Sequence, residues 1–386
     1  MDRRKFLKGV GVAGVAGLAG CTGGPEEEND STQNDSSGGG STAETTTGTE
    51  GNASGNGSTE STDSGGSGGS ANIGMVYATG GLGDGSFNDQ AQVGLQQAAE
   101  EFDIQYNESE PEQATEFKTY QQSYAESTNP DYDLVSCIGF AQAEALGEVS
   151  GQFPDQDFMI VDAVVEADNV ANYTFAEHEG SFLVGQMAGL LTTQEFSAGA
   201  GETNGDATVG FVGGVESDLI KKFEAGYRAG VQAANSDVEV LSTYVGGFND
   251  PNGGKSAANS MYSQGADIIY HASGNTGTGV FAAAQEQNRF AIGVDRDQSV
   301  TKPNSANVIL ASMVKRVDTA VYNSIEAVAN GNFEGGATTA LGLEQEGVGI
   351  VYGDAIGGEV PEEVKTQIDE SRQAIIDGEV DVPTSP

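Results

Sequence analysis

From Asn72 onward, short apolar runs of strand length alternate with longer stretches whose apolar positions recur at helical spacing. The short runs cover residues 73–77, 134–138, 158–164, 208–212, 238–245, 267–272, 290–294 and 308–313. The helical stretches cover residues 88–102, 141–152, 181–191, 218–234, 254–264, 279–287 and 315–329. This alternation predicts an α/β fold of parallel sheets with helices on both faces. A polar stretch, residues 199–206, divides the pattern into two similar halves. We read these as two doubly wound parallel-sheet lobes joined by a hinge.

In such sheets, ligands bind beyond the carboxyl ends of the strands. Glycine-rich or polar segments follow the strand-length runs: Gly139-Phe140, Gly213-Gly214, Gly246-Gly247-Phe248-Asn249-Asp250, Ser273-Gly274-Asn275-Thr276-Gly277 and Asp295-Arg296-Asp297-Gln298. Each half supplies its own set. Two lobes whose loops line a shared cleft match the plan of a protein that closes on a small ligand.

The first of these segments is Gly80-Gly81-Leu82-Gly83-Asp84-Gly85-Ser86-Phe87-Asn88-Asp89, between the run 73–77 and the first helical stretch. Two readings stand side by side. In one, the glycines let the backbone approach a ligand while Phe87 and Asn88 offer a flat face and a polar contact at a helix start. In the other, this is an ordinary turn, Phe87 belongs to the core, and Ser86 or Asn88 caps the helix.

Charge narrows the class. The 386 residues include 16 basic and 58 acidic ones, a net charge of −42. Four of the basic residues, Arg3, Arg4, Lys5 and Lys8, lie at the very start. No basic surface remains to neutralise phosphates, which argues against a general nucleic-acid partner. Strong salt screens such self-repulsion within a few Å, so the composition predicts a salt-loving source.

Residues 1–21 read as an address: a basic start, a mild apolar middle and the ending Leu18-Ala19-Gly20-Cys21. The segment is too short to span a bilayer. Arg3-Arg4 followed by Lys5-Phe6-Leu7-Lys8 resembles a twin-arginine export signal, and Leu18-Ala19-Gly20-Cys21 resembles a lipobox. Cys21 is therefore the expected lipidation site. Residues 22–71 form a polar linker too poor in apolar side chains to offset ordering entropy. As a coil of about 50 residues it reaches on the order of 40 Å. Asn107 and Asn172 begin Asn-x-Ser/Thr sequons within the domain.

Six ordered motifs carry a resemblance covering roughly residues 72–380. They are Gly83-Asp84-Gly85-Ser86-Phe87-Asn88-Asp89, Glu179-Gly180-Ser181-Phe182-Leu183-Val184-Gly185, Gly210-Phe211-Val212-Gly213-Gly214, Lys222-Phe223-Glu224-Ala225-Gly226-Tyr227, Gly274-Asn275-Thr276-Gly277-Thr278-Gly279 and Ile292-Gly293-Val294-Asp295-Arg296-Asp297-Gln298. Together they resemble the basic membrane protein family, substrate-binding lipoproteins of ABC importers related to purine nucleoside receptors. The resemblance implies a type I periplasmic-binding-protein fold and a nucleoside or nucleoside-like ligand. It also implies ABC permease subunits as partners, a monomer lipid-anchored to the outer face of the cell membrane, and no cofactor. By the same resemblance Phe87 stacks on the base with Asn88 beside it, Asp295 accepts hydrogen bonds from ribose hydroxyls, and Lys315 contributes on the sugar side. Asp84 and Gly274 lie in the matched motifs, and Asn275 stands where the family often has glycine, adding a contact. Ala78 is a departure: purine receptors carry a base-reading aspartate there, so the base side of the ligand is left open.

The implied organisation is a signal over 1–21, a linker over 22–71 and a binding domain over 72–380. Its first lobe takes about 72–180 plus about 300–330, and its second about 181–299 plus about 331–380. Outside the motifs, Phe140 and Phe248 are candidate cleft walls, while Phe223, at helical spacing with Ile220 and Tyr227, reads as core. His178 and His271 lie far apart in the chain and do not suggest a metal site. Two other function classes stay open: a nucleoside hydrolase using Asp84, Asp295 and Asp297, although no nucleophile and base stand at a telling spacing, and a surface sensor working through a partner.

Overall fold

The computed structural model describes residues 70–386. The signal and its Cys21, and the linker up to residue 69, lie outside the described residues. Five strands come first: β1 (Ala71–Val76), β2 (Ile104–Ser109), β3 (Leu134–Cys137), β4 (Asp157–Val161) and β5 (Val170–Phe175). A two-rung hairpin follows, β6 (Ser197–Ala198) with β7 (Gly201–Glu202). The second set is β8 (Thr208–Gly213), β9 (Glu239–Tyr244), β10 (Ile268–Ala272), β11 (Phe290–Asp295) and β12 (Ile309–Lys315), and then come β13 (Thr338–Leu341) and β14 (Val348–Tyr352). The helices are α1 (Phe87–Glu101), α2 (Phe117–Ala125), α3 (Ala143–Gln152), α4 (Glu177–Thr192), α5 (Asp218–Ala234), α6 (Pro251–Ser263), α7 (Gly277–Gln287), α8 (Gln298–Thr301), α9 (Val317–Ala329) and α10 (Glu362–Ile376).

The strands build two six-stranded sheets, ordered β13-β5-β4-β3-β1-β2 and β14-β12-β11-β10-β8-β9. The first is parallel throughout. The second is parallel except that β14 runs antiparallel to β12, a departure from the all-parallel expectation. Central strands such as β8, β10 and β11 are buried along their whole length. That is why they read as unbroken apolar runs: helices cover both faces, so neither side of the strand is polar. Edge strands carry a weaker pattern. In β2, Ile-Gln-Tyr-Asn-Glu-Ser, only Ile104 is buried, and the apolar pattern passes it over.

The lobes divide at different places than the sequence suggests. Residues 199–206 do not separate them: β6, β7 and the turn that follows sit in the second lobe, where the backbone of Ala200 and Glu202 bonds to Asn307 and Asn288. The chain crosses between β5 and α4, returns between β12 and α9, and crosses again between β13 and β14. The expected placement of about 300–330 in the first lobe is therefore corrected to about 317–341. The physical reason is β12, whose buried Ile309, Leu310, Ala311 and Met313 pair with β11 and β14 in the second sheet.

The second lobe is tightened where α4 crosses α5. A side chain at Gly230 would begin 2.0 Å from the Phe182 carbonyl oxygen, and one at Gly226 would begin 2.0 Å from that of His178. Only glycine lets these two backbones approach so closely.

Candidate functional site

A cleft lies between the two sheets and is lined by residues of both lobes. Every segment that lines it lies at or just beyond the carboxyl end of a strand, or on the opening turns of a helix.

From the first lobe comes the β1–α1 loop. The Asp84 carboxylate accepts backbone N–H groups from Ser86 at 2.8 Å, Asn88 at 3.0 Å and Asp89 at 3.3 Å, which caps α1. Burial raises the Asp84 pKa, against the hydrogen bonds from Asn88 and Ser86. The Asn88 side chain accepts from Ala78 N–H at 3.0 Å and donates to the Gly81 carbonyl at 3.0 Å. Both residues line the cleft, yet their polar atoms are engaged in holding the loop. Asp84, rather than Ser86 or Asn88, supplies the helix cap. That loop places Phe87, half-buried, against the cleft, its ring over Gly139. Gly139 has φ 109°, and a side chain there would begin 3.2 Å from Ala78 Cβ and 3.5 Å from the Phe87 ring. Phe140 follows at the mouth of the next loop.

From the second lobe come Phe223 on α5, Phe248 after β9, Ser273 and Gly274 after β10, Asp295 at the end of β11 and Lys315 at the end of β12. Phe248 lies directly on Gly214, where a Cβ would meet its ring at 2.4 Å. Phe223, read as core, is buried and also forms part of the wall. Four phenyl groups, two from each lobe, therefore face one cleft. Asn275 does not join them: its amide donates to Asn249 Oδ1 at 2.7 Å and accepts from the Thr278 hydroxyl at 3.0 Å, which holds its own loop. His271 packs against Gly277, with Nε2 2.9 Å from Gln298 Oε1 and Nδ1 3.2 Å from Ser273 Oγ. It organises the loops. Among the described residues no group of three or more acidic, histidine or cysteine side chains could hold a metal ion.

The charged end of the cleft is built around Lys315, 1% exposed. Its ammonium lies 2.6 Å from Asp162 Oδ1 and 3.0 Å from Glu177 Oε1, and 5.0–5.5 Å from the ring centres of Phe87, Phe175 and Phe223. Two of its three N–H donors are thereby matched to carboxylates. Burial would lower the lysine pKa, but Asp162, Glu177 and Asp295 outweigh it and raise it. The two paired carboxylates differ in response. Burial raises Asp162 in spite of Lys315. Burial acts the same way on Glu177, but Lys315 together with Lys222 at 2.9 Å overcomes it and holds the group below its ordinary value.

Asp295 is buried with φ 65°, a backbone conformation uncommon outside glycine. Burial pushes its pKa up to about 7, while Lys315 and the Ser86 hydroxyl pull the other way. A carboxylate at this position can accept from two neighbouring hydroxyls of a ligand, opposite a wall of aromatic faces.

The fold thus brings Phe87, Asn88, Asp84, Phe140, Gly274, Asp295 and Lys315 to one cleft and leaves Asn275 aside. Sequence reasoning missed Asp162 and Glu177. Asp162 directly follows β4, so the strand-end rule applies to it; the expected strand, drawn through to Val164, hid it. Glu177 stands two residues beyond β5, at the start of α4, so the same rule applies to it; β5 itself was not among the expected strands.

A family model described as ABC transporter substrate-binding protein PnrA-like matches residues 71–385. The CD4+ T-cell-stimulating antigen of Listeria monocytogenes is 37% identical over 327 residues, covering 80% of this chain and 86% of its own. The ABC transporter nucleoside-binding protein BmpA of Lactococcus lactis is 32% identical over 323 residues, covering 79% and 86%. Among solved structures, an ABC transporter system solute-binding protein from Aeropyrum pernix K1 superposes with a TM-score of 0.72 at 29% identity, over 81% of this chain and 93% of the other. One from Conexibacter woesei shares the fold, with a TM-score of 0.65 at 22% identity over 82% and 99%.

Proposed function

Because this chain belongs to the PnrA-like family of ABC transporter substrate-binding proteins, we propose that it captures a nucleoside or a nucleoside-like molecule between its lobes and delivers it intact to an ABC permease. The observation that carries this reading is the pairing, within one cleft, of four phenyl groups with the Asp295 carboxylate. An aromatic face suits a nucleobase, with stacking contributing about 1–3 kcal/mol. A carboxylate beside it suits the vicinal hydroxyls of a ribose. The name of the Lactococcus relative, a nucleoside-binding protein, agrees with this chemistry. Ala78 offers no acceptor to the base, so base discrimination rests on shape and on Thr79, Ser273 and backbone groups.

In the same reading the protein works as a monomer on the outer face of the cell membrane. Residues 1–21 direct export, Cys21 is lipidated, and the polar linker holds the binding domain clear of the surface. Incubating the purified full chain with adenosine, inosine, cytidine and uridine in high salt tests the ligand. Stoichiometric recovery of intact nucleoside is expected. Release of free base, or recovery of none of the four, overturns the assignment. Loss of membrane retention in Cys21→Ser tests the anchor; unchanged retention refutes it.

A further inference from the structure

Ser86 occupies the N-cap position of α1, where a serine hydroxyl ordinarily accepts from the second or third helical N–H. Here it does not: no side-chain cap bond is made by Ser86, because Asp84 takes the backbone N–H groups of Ser86, Asn88 and Asp89. The Ser86 hydroxyl, fully buried, is left to donate elsewhere, and it donates across the cleft to Oδ2 of Asp295. Ser86 belongs to the first lobe and Asp295 to the second, so the bond exists only when the lobes are together. Two neighbouring contacts hold the same approach: Gln298 Nε2 and Thr301 Oγ1 donate to the Gly85 carbonyl at 3.2 and 3.0 Å.

We propose that Ser86 is a positioning residue for ligand capture: by donating to Oδ2 of Asp295 on closure, it fixes the carboxylate in the orientation that accepts ligand hydroxyls. A serine has one proton to donate. Giving it to Oδ2 leaves Oδ1 and the remaining lone pairs to the ligand, so the first lobe sets the geometry of an acceptor carried by the second. The left-handed backbone at Asp295 is the cost of presenting that carboxylate to the opposite lobe. This inference rests on the reading that Asp295 receives the ligand's hydroxyls.

The charged and titratable groups facing Asp295 are Lys315 on β12, Asp84 on the β1–α1 loop, Asp162 after β4 and Tyr270 on β10. Lys315 and the Ser86 hydroxyl favour the anion, whereas Asp84 and Asp162 oppose it. Removing the hydroxyl therefore moves the titration of Asp295 upward, a change that loss of packing at Ser86 alone does not produce.

The test uses the full chain and Ser86→Ala, with inosine and 2′-deoxyinosine as probes from pH 5 to 9 in high salt. Ser86→Ala is expected to weaken inosine binding on the order of tenfold or more near neutral pH, the range for a lost hydrogen bond to a charged group. The pH at which affinity falls off should move upward, and the preference for inosine over its 2′-deoxy form should shrink. A pH profile and a preference identical to the parent's overturn the proposal. Carboxyl carbon NMR of ligand-free protein, with Asp295→Asn assigning the signal, separates this from the nucleoside reading. A higher Asp295 midpoint in Ser86→Ala supports the role of Ser86 even where inosine does not bind, and an unchanged midpoint refutes it even where inosine does.

Discussion

The ammonium of Lys315, carried by the second lobe, lies 2.6 Å from the carboxylate of Asp162, carried by the first. Both side chains are almost wholly buried, so the pair is a contact between lobes made in a low-dielectric setting, and Glu177 completes it at the chain crossing. Such a pair is weak support for stability when compared with apolar residues, but removing one partner leaves a buried charge uncompensated. Lys315→Met is therefore expected to destabilise the protein by roughly 3–5 kcal/mol. The double variant Lys315→Met with Asp162→Asn should recover part of that loss. Denaturant unfolding in high salt measures both; equal stability of parent and single variant would show that the pair is solvated.

Phe87 and Phe248 approach the cleft from opposite lobes and pack on Gly139 and Gly214. Truncating either to alanine should lower nucleoside affinity by about 1–3 kcal/mol, the range of one base–aromatic stack. The melting temperature without ligand should change little, because both rings are only half-buried. Calorimetric titration checks this. Undiminished affinity in both variants would place the base elsewhere.

The raised pKa of Asp295 has a definite sign. Its value of about 7 in the folded protein lies above the ordinary aspartate value of about 3.9. Between those values the folded state holds a proton that the unfolded chain has lost. This group therefore makes stability fall as pH rises from about 4 to about 7, and the effect levels off above that. Asp295→Asn should remove that slope, measured by denaturant unfolding at a series of pH values. Nucleoside affinity should run the other way and decline below about pH 7, since protonation takes an acceptor from the ligand's hydroxyls.

Gly230→Ala tests the α4–α5 contact. Its new methyl would begin 2.0 Å from the Phe182 carbonyl oxygen and 2.7 Å from the Gln186 backbone nitrogen. Overpacking of this kind typically costs about 1–3 kcal/mol, and thermal unfolding should show a corresponding drop.

A net charge of −42 with only 16 basic residues predicts that molar salt raises the melting temperature by screening repulsion within about 3 Å. Equal stability in dilute buffer would count against a salt-adapted surface.

What the sequence determined by itself was the alternation of strand and helix, because central parallel strands are covered on both faces and must be apolar along their length. It also pointed to Phe140 and Asp295, since ligand-facing residues in such sheets follow the strands at positions readable along the chain, and the resemblance of its motifs to a known family added Phe87 and Lys315. Tertiary structure decided the rest. Edge strands such as β2 carry half-exposed polar sequences without a period of their own. The lobe boundaries were set by which sheet β12 pairs with, a choice made by long-range hydrogen bonds rather than local pattern. Asn88 and Asp84 line the cleft as expected, and only the fold shows that their hydrogen bonds also hold their own loop. Asp162 and Glu177 acquire their roles only because three distant parts of the chain converge on one ammonium. A buried charge selects its partners by proximity in space, and that proximity has no counterpart in the order of residues.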